Sequence, residues 1–332
     1  MSTRTITRAL ILLALVALSG IVAAGCGGGG RDEEPETSAA GGETSTAAGE
    51  DLTGSISVDG SSTVGPLVQA AAEQFQDANS DVKVTVGVSG TGGGFERFCA
   101  GETDLSNASR AIEDDEVALC EKAGVEFTEF QVANDGLAVI VNPDNDWAEC
   151  LTVEQLKTIW SPDTAAKSWK DVDPSFPDEQ LKLYGAGTDS GTFDYFTDVI
   201  NGEEGKSRTD YQATEDDNVT VQGVGAEKGG LGYLGLSYAE QNADEVKLVP
   251  IDSGDGCITP DVETVQDGSY KPLGRPLYVY AKNASFARPE VKAFVQYMID
   301  NAVSIAEGAL FVPMTEDQVS DAQSKLDEAA AA

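Results

Sequence analysis

Three times in this chain a stretch that reads as a β-strand stops at a turn built from Gly, Ser and Thr, and a helical pattern starts straight after it. A strand expected over 55–58 runs into Asp59-Gly60-Ser61-Ser62-Thr63-Val64-Gly65-Pro66. The helix expected over 66–78 then has Pro66 in its first turn and Leu67, Ala71 and Phe75 on one face. A strand over 82–88 leads to Ser89-Gly90-Thr91-Gly92-Gly93-Gly94-Phe95 and a helix from near Gly93 carrying Phe95 and Phe98. A strand over 181–184 leads to Gly185-Ala186-Gly187-Thr188-Asp189-Ser190-Gly191-Thr192-Phe193 and a helix over 191–200 with Phe193, Phe196 and Ile200. Between and after these units come a strand over 136–141, a helix starting at Thr152 with a Thr-x-x-Gln capping box, a strand over 277–281, and a helix over 289–301 with Val291, Phe294, Val295 and Met298 at helical spacing. Alternation of this kind makes an α/β protein.

A strand-to-helix turn of this composition presents backbone N–H groups, hydroxyls and the positive end of a helix dipole together, which is an anion site. Taken singly each is weak. The first also reads as plain N-capping, and the second lacks both the Lys-Ser/Thr of a P-loop and GxGxxG spacing. Together they point to one anion held by several turns. None of them contains Lys or Arg, so a tight site needs a cation from elsewhere; Arg110, closing Asp104-Leu105-Ser106-Asn107-Ala108-Ser109-Arg110, is the leading candidate. Its competing role is a surface pair with Glu113 or Asp114.

Composition narrows the chemistry. Acidic residues outnumber basic ones 57 to 21, for a formal charge of -36, and they are spread along the chain as on a solvated surface. That balance argues against nucleic acid. There is no His, which removes the usual general base, triad partner and commonest metal ligand. The 332 residues suit two domains.

The N-terminus is not fold. Arg4 and Arg8 precede an apolar run over 9–18, and Ala23-Ala24-Gly25-Cys26 resembles the end of a bacterial lipoprotein signal. The resemblance implies a signal peptide over 1–25 and lipidation of Cys26. A spanning helix is the alternative, but Ser19, Gly20 and a glycine cluster interrupt it. Residues 26–53 then form a lipidated cysteine and a flexible tether. Cys99, Cys120, Cys150 and Cys257 remain, and an even number in an exported chain points to two disulfides. Three connectivities are open; Cys99 with Cys120 and Cys150 with Cys257 is favoured because it keeps each bridge inside one expected lobe. With no CxxC and no His, a metal site is disfavoured.

From about Gly54 to the C-terminal helices, the segments GSSTVGP, SGTGGGF, GETDLSNASR and GTDSGTFDYF, in this order and at these distances, resemble the phosphate-binding proteins of the high-affinity phosphate (Pst) ABC transporter. The resemblance implies the type II periplasmic-binding fold, with a first lobe over 54–134 plus 283–332 and a second over 135–282, closing over one oxyanion. It implies hydroxyl or backbone donors at Ser62, Thr63 and Val64, further donors at Thr91 and Gly92, and Ser190, Gly191 and Thr192 from the opposite lobe. Two departures stand out: an acid is common in the family where Arg110 stands, and the family's cation lies near Ala186. We read this as relocation of the cation to Arg110. The carboxylate that accepts the proton of hydrogen phosphate is then expected at Asp189, with Asp59 and Asp135 behind it.

The implied partners are inorganic phosphate, the permease subunits of an ABC importer, and the lipid bilayer through acylated Cys26. The chain is expected to act as a monomer at the outer face of the cell membrane, without cofactor, metal or catalytic residue. Rival readings are a binding protein for sulfate or molybdate, an exported phosphatase, and a lipid-anchored adhesin.

Overall fold

The computed structural model describes residues 52–188 and 190–331. The signal segment, Cys26, nearly all of the tether, and Asp189 lie outside the described residues. The strands in chain order are β1 Gly54–Gly60, β2 Val82–Val86, β3 Leu105–Ala108, β4 Phe127–Val141, β5 Leu151–Thr152, β6 Lys182–Ala186, β7 Gln212–Thr214, β8 Gly230–Gly235, β9 Lys247–Leu248, β10 Ile251–Asp252, β11 Cys257–Ile258 and β12 Gly274–Lys282. Most join one mixed sheet in the order β2-β1-β3-β12-β4-β8-β6-β7, with β9 also on β4; β11-β10-β5 form a small second sheet. The pairs β1–β2, β1–β3, β6–β8 and β6–β7 are parallel, whereas β12 runs antiparallel to both β3 and β4.

Strand β4 is the spine. Its first part, from Phe127 to Gly136, pairs with β12, and its last part, from Leu137 to Val141, pairs with β8. A separate apolar core sits on each side of that change of partner. The first core packs Ile56, Val58, Leu67, Phe75 and Leu105 against Phe294, Val295 and Met298 of the helix Pro289–Asp300, with the Phe75 and Phe294 rings 5.3 Å apart. The second gathers Trp160, Phe196 and Tyr233, the last two stacked at 3.8 Å. Leu277, Val279 and Ala281 of β12 pack in the first core.

Local rules account for most element ends. Along β2, Val82 and Val84 face inward while Lys83 and Thr85 face out. Thr152 caps the helix Val153–Trp160: its Oγ1 accepts from the Gln155 amide at 3.1 Å, and the Gln155 side chain accepts from the Thr152 amide at 2.9 Å. Two expectations shift. The second glycine turn is already helical from Gly90, three residues before the expected start. The helix expected over 191–200 is α-helical only over Gly191–Phe196 and continues as a π turn over Thr197–Asn201. Among the described residues no helix is long and apolar enough to cross a membrane.

Both favoured disulfides are present, Cys99–Cys120 over a separation of 21 residues and Cys150–Cys257 over 107. Cys99 and Cys120 are fully buried beside Phe95, Phe98 and Tyr280, while Cys257 is exposed. Access to a sulfur limits thiol–disulfide exchange. Under mild reductant in native buffer, Cys150 and Cys257 should therefore alkylate first and Cys99 and Cys120 only on unfolding. Peptide mass mapping over time reads the order, and early alkylation of Cys99 would contradict it.

Candidate anion-binding site

The three turns converge. One cavity of about 610 Å³ is walled by Ser61, Ser62 and Thr63 from the first turn, residues 89–93 from the second, Ser109-Arg110-Ala111 after β3, Gly191, Asp194 and Tyr195 from the helix Gly191–Phe196 that follows the third turn, and Arg275 at the start of β12. Asp198 and Glu204 complete its acidic side.

The first turn is shaped by Gly60, whose φ of 139° lies where side chains are strained and where a Cβ would fall 2.1 Å from the Asn107 carbonyl. Buried Ser61 then organises the helix start: its Oγ accepts from the amides of Thr63 at 3.2 Å and Val64 at 3.3 Å. Val64, expected among the donors, has its amide bonded to Ser61 and its side chain in the first core, and the wall residues of this turn are Ser61, Ser62 and Thr63.

The second turn is pinned by Asp59. Its Oδ1 accepts from Ser89 Oγ at 2.6 Å, and its Oδ2 pairs with Arg97. With both oxygens engaged and its side chain buried, Asp59 supports the turn rather than facing the cavity. Thr91 Oγ1 lies 3.1 Å from Ser109 Oγ and accepts the Ser109 amide, tying the second turn to the Arg110 segment. Thr91 and Gly92 both reach the wall.

Arg110 reaches the wall as well, but it is not free. Its two terminal nitrogens donate to the two Glu116 oxygens at 2.8 Å each, and its Nε lies 3.3 Å from Glu113. The competing pair is present with Glu113, and a second carboxylate, Glu116, which sequence reasoning did not name, holds the guanidinium more closely. The Glu116 fork aims the guanidinium and leaves part of its side chain, 38% exposed, toward the cavity.

On the opposite side, Ser190 caps its helix by accepting from the Thr192 amide at 3.2 Å. Gly191 forms the wall, and Ser190 and Thr192 flank it without lining the cavity. Gly191 is in contact with the first turn: a Cβ there would lie 2.5 Å from Thr63 Oγ1. The two halves therefore touch over the cavity through a residue without a side chain. One helical turn on, burial lifts the Asp194 carboxyl above its ordinary range, while the Ser62 hydroxyl and Arg275 pull it back. Glu204 is raised too, by burial and then by the neighbouring Asp194 and Asp198 charges.

Arg275 was missed by sequence reasoning, which began the last strand at Leu277. Its side chain is only 14% exposed, deeper than Arg110. Nε donates to Asp135 Oδ2 at 3.2 Å, Nη2 donates to Thr63 Oγ1 at 3.1 Å, and the guanidinium carbon sits 3.4 Å from the centre of the Tyr195 ring. Asp135 is thereby engaged as the partner of Arg275; burial raises its carboxyl and the guanidinium opposes that shift.

Comparison with known proteins identifies the family. The sequence profile of the PBP superfamily domain matches residues 42–302. Protein SphX of Synechococcus elongatus is 43% identical over 262 residues, covering 78% of this chain and 77% of that protein. Phosphate-binding protein PstS of Staphylococcus saprophyticus is 41% identical over 277 residues, covering 83% and 85%. The crystal structure of a possible phosphate-binding protein from Planctomyces limnophilus superposes with a TM-score of 0.81 at 44% identity, over 84% of this chain and 99% of that one. The chain belongs to the PBP superfamily, with the type II periplasmic-binding fold, and within it to the family of the PstS phosphate-binding proteins.

Proposed function

We propose that the chain captures inorganic phosphate outside the cell membrane and delivers it to the permease subunits of an ABC-type importer. The observation that carries this reading is the convergence of three Gly/Ser/Thr turns, two from one half and one from the other, with Arg110 around a single cavity. Its family is one of substrate-binding proteins, and the wall offers donors for an oxyanion rather than a nucleophile beside a base. Ser62, Thr63, Thr91, Gly92, Arg110 and Gly191 are the proposed ligands, with Ser190 and Thr192 shaping the third turn. The two lobes are assigned to the two cores. Cys26 carries the lipid, residues 27–53 give reach from the membrane, and the protein works as a monomer.

For the proton of hydrogen phosphate the resemblance puts Asp189 first, and that residue lies outside the described ones; among the described carboxylates we assign Asp194. Asp59 is tied to Ser89 and Arg97, and Asp135 to Arg275, whereas Asp194 stands on the cavity wall facing Ser62. A carboxylate there accepts a hydrogen bond from a protonated oxygen and repels sulfate, which has no proton to give.

Three outcomes test these assignments. Calorimetry should rank the loss of phosphate affinity as Arg110→Ala, then Arg110→Lys, then Ser190→Ala, with the first near 2–3 kcal/mol and the last about 1 kcal/mol or less; an Arg110→Ala protein that binds like the parent would place the cation elsewhere. Asp194→Asn should weaken phosphate by roughly tenfold or more and narrow the gap to sulfate and molybdate in competition titrations; unchanged discrimination would remove Asp194 from selectivity. For the anchor, Cys26→Ser should move the protein out of the salt-washed membrane fraction, and retention there would overturn lipidation at this residue.

A further inference from the structure

We propose that Arg275 is a positioning residue that latches the closed cleft: it fixes the Thr63 hydroxyl as a donor toward the bound anion and holds Tyr195 of the second half against itself, so release requires this three-way contact to part. The inference rests on the phosphate-binding reading of the cavity.

The argument begins with the hydroxyl. A guanidinium N–H only donates, so Thr63 Oγ1 must accept from Arg275 Nη2, and its own hydrogen is left for another acceptor. Thr63 lies on the cavity wall, where that acceptor is the ligand. An unoriented hydroxyl gives no such assurance, because it rotates to suit whatever is near.

The guanidinium is itself held by neither half alone. Arg275 stands opposite Asp135 in the register of β12 with β4, and its Nε donates to the Asp135 carboxylate. Both residues lie where the chain crosses between the two cores. Tyr195 packs into the second core, its ring lies against the guanidinium, and its hydroxyl is secured on the Pro272 carbonyl. Thr63 moves with the first half and Tyr195 with the second, while Arg275 stays on the crossing strands between them. Separating the halves therefore strips Arg275 of at least one of these partners. Arg110 differs in kind: its bonds go to Ala111, Glu113 and Glu116, all in the first half, so it is unaffected by opening.

Contacts made only in the closed form show up in the dissociation rate rather than the association rate. Stopped-flow measurements with inorganic phosphate on the full chain in detergent separate the two. Replacing Arg275 alone leaves the buried Asp135 carboxylate without its partner, so the decisive variant is the pair Arg275→Gln with Asp135→Asn, which removes both charges together. It should release phosphate about tenfold faster or more, with association within about threefold of the parent. Tyr195→Leu, which spares the ion pair, should speed release several-fold, and Arg275→Lys should fall between parent and double variant. Release within about twofold of the parent in both the double variant and Tyr195→Leu overturns the latch, as does a change confined to association, which makes Arg275 a steering charge. If the parent chain binds no phosphate, the functional reading fails and the latch with it; if the parent binds and release is unchanged, the latch alone fails.

Discussion

The two halves of the molecule join where strand β4 changes partners in its middle, beside the start of β12. Up to Gly136, β4 is hydrogen-bonded to β12 and faces the first core; from Leu137 it is bonded to β8 and faces the second. Because the backbone groups of a buried strand must be paired, this change of partner sets where one rigid layer ends and the next begins. Everything at the site is measured from that point. The first and second turns end strands on one side of it, the third turn ends β6 on the other, and Asp135 and Arg275 occupy the crossing itself. The cavity is a consequence of two parallel-strand units meeting with their helix starts toward each other, the arrangement in which open α/β sheets hold ligands.

The local charge balance is unusual for an anion site. Arg110 is answered by Glu116 and Glu113, Arg275 by Asp135, and the wall also carries Asp194, Asp198 and Glu204. The attraction therefore comes less from net positive charge than from oriented donors: fixed hydroxyls, helix starts and two guanidinium groups whose carboxylate partners sit behind them and set their direction. Such an arrangement favours an anion that can also give a hydrogen, since a site rich in carboxylates penalises any ligand that only accepts.

What could be read from residues alone were features carried by short-range rules. Thr152 and Gln155 announce a helix start through reciprocal capping, and Leu67, Ala71 and Phe75 announce a buried face, so those elements fell within a residue or two of expectation. The glycine-rich second turn was harder. Glycine disfavours helix, and nothing local signals that the residues from Gly90 onward are helical because the Asp59–Ser89 bond and the Thr91–Ser109 contact hold them there. The first part of β4 was hidden for a different reason: Thr128, Glu129, Gln131 and Asn134 break the apolar pattern, and only pairing with β12 makes them strand. Arg275 was beyond reach because its meaning depends on Asp135, 140 positions away, and on Thr63 and Tyr195 from two other parts of the chain.

The acidic rim formed by Asp194, Asp198 and Glu204 has a kinetic side. A dianion diffusing toward a body of formal charge -36 climbs a repulsive potential before it meets a single donor. Dissolved ions shorten the range of that potential, from about 30 Å in dilute buffer to near 8 Å at physiological strength, while leaving the contact-range bonds of the closed cavity almost untouched. Encounter and retention thus answer to different features of the medium: brackish surroundings hasten arrival, and the grip, once made, is indifferent to them.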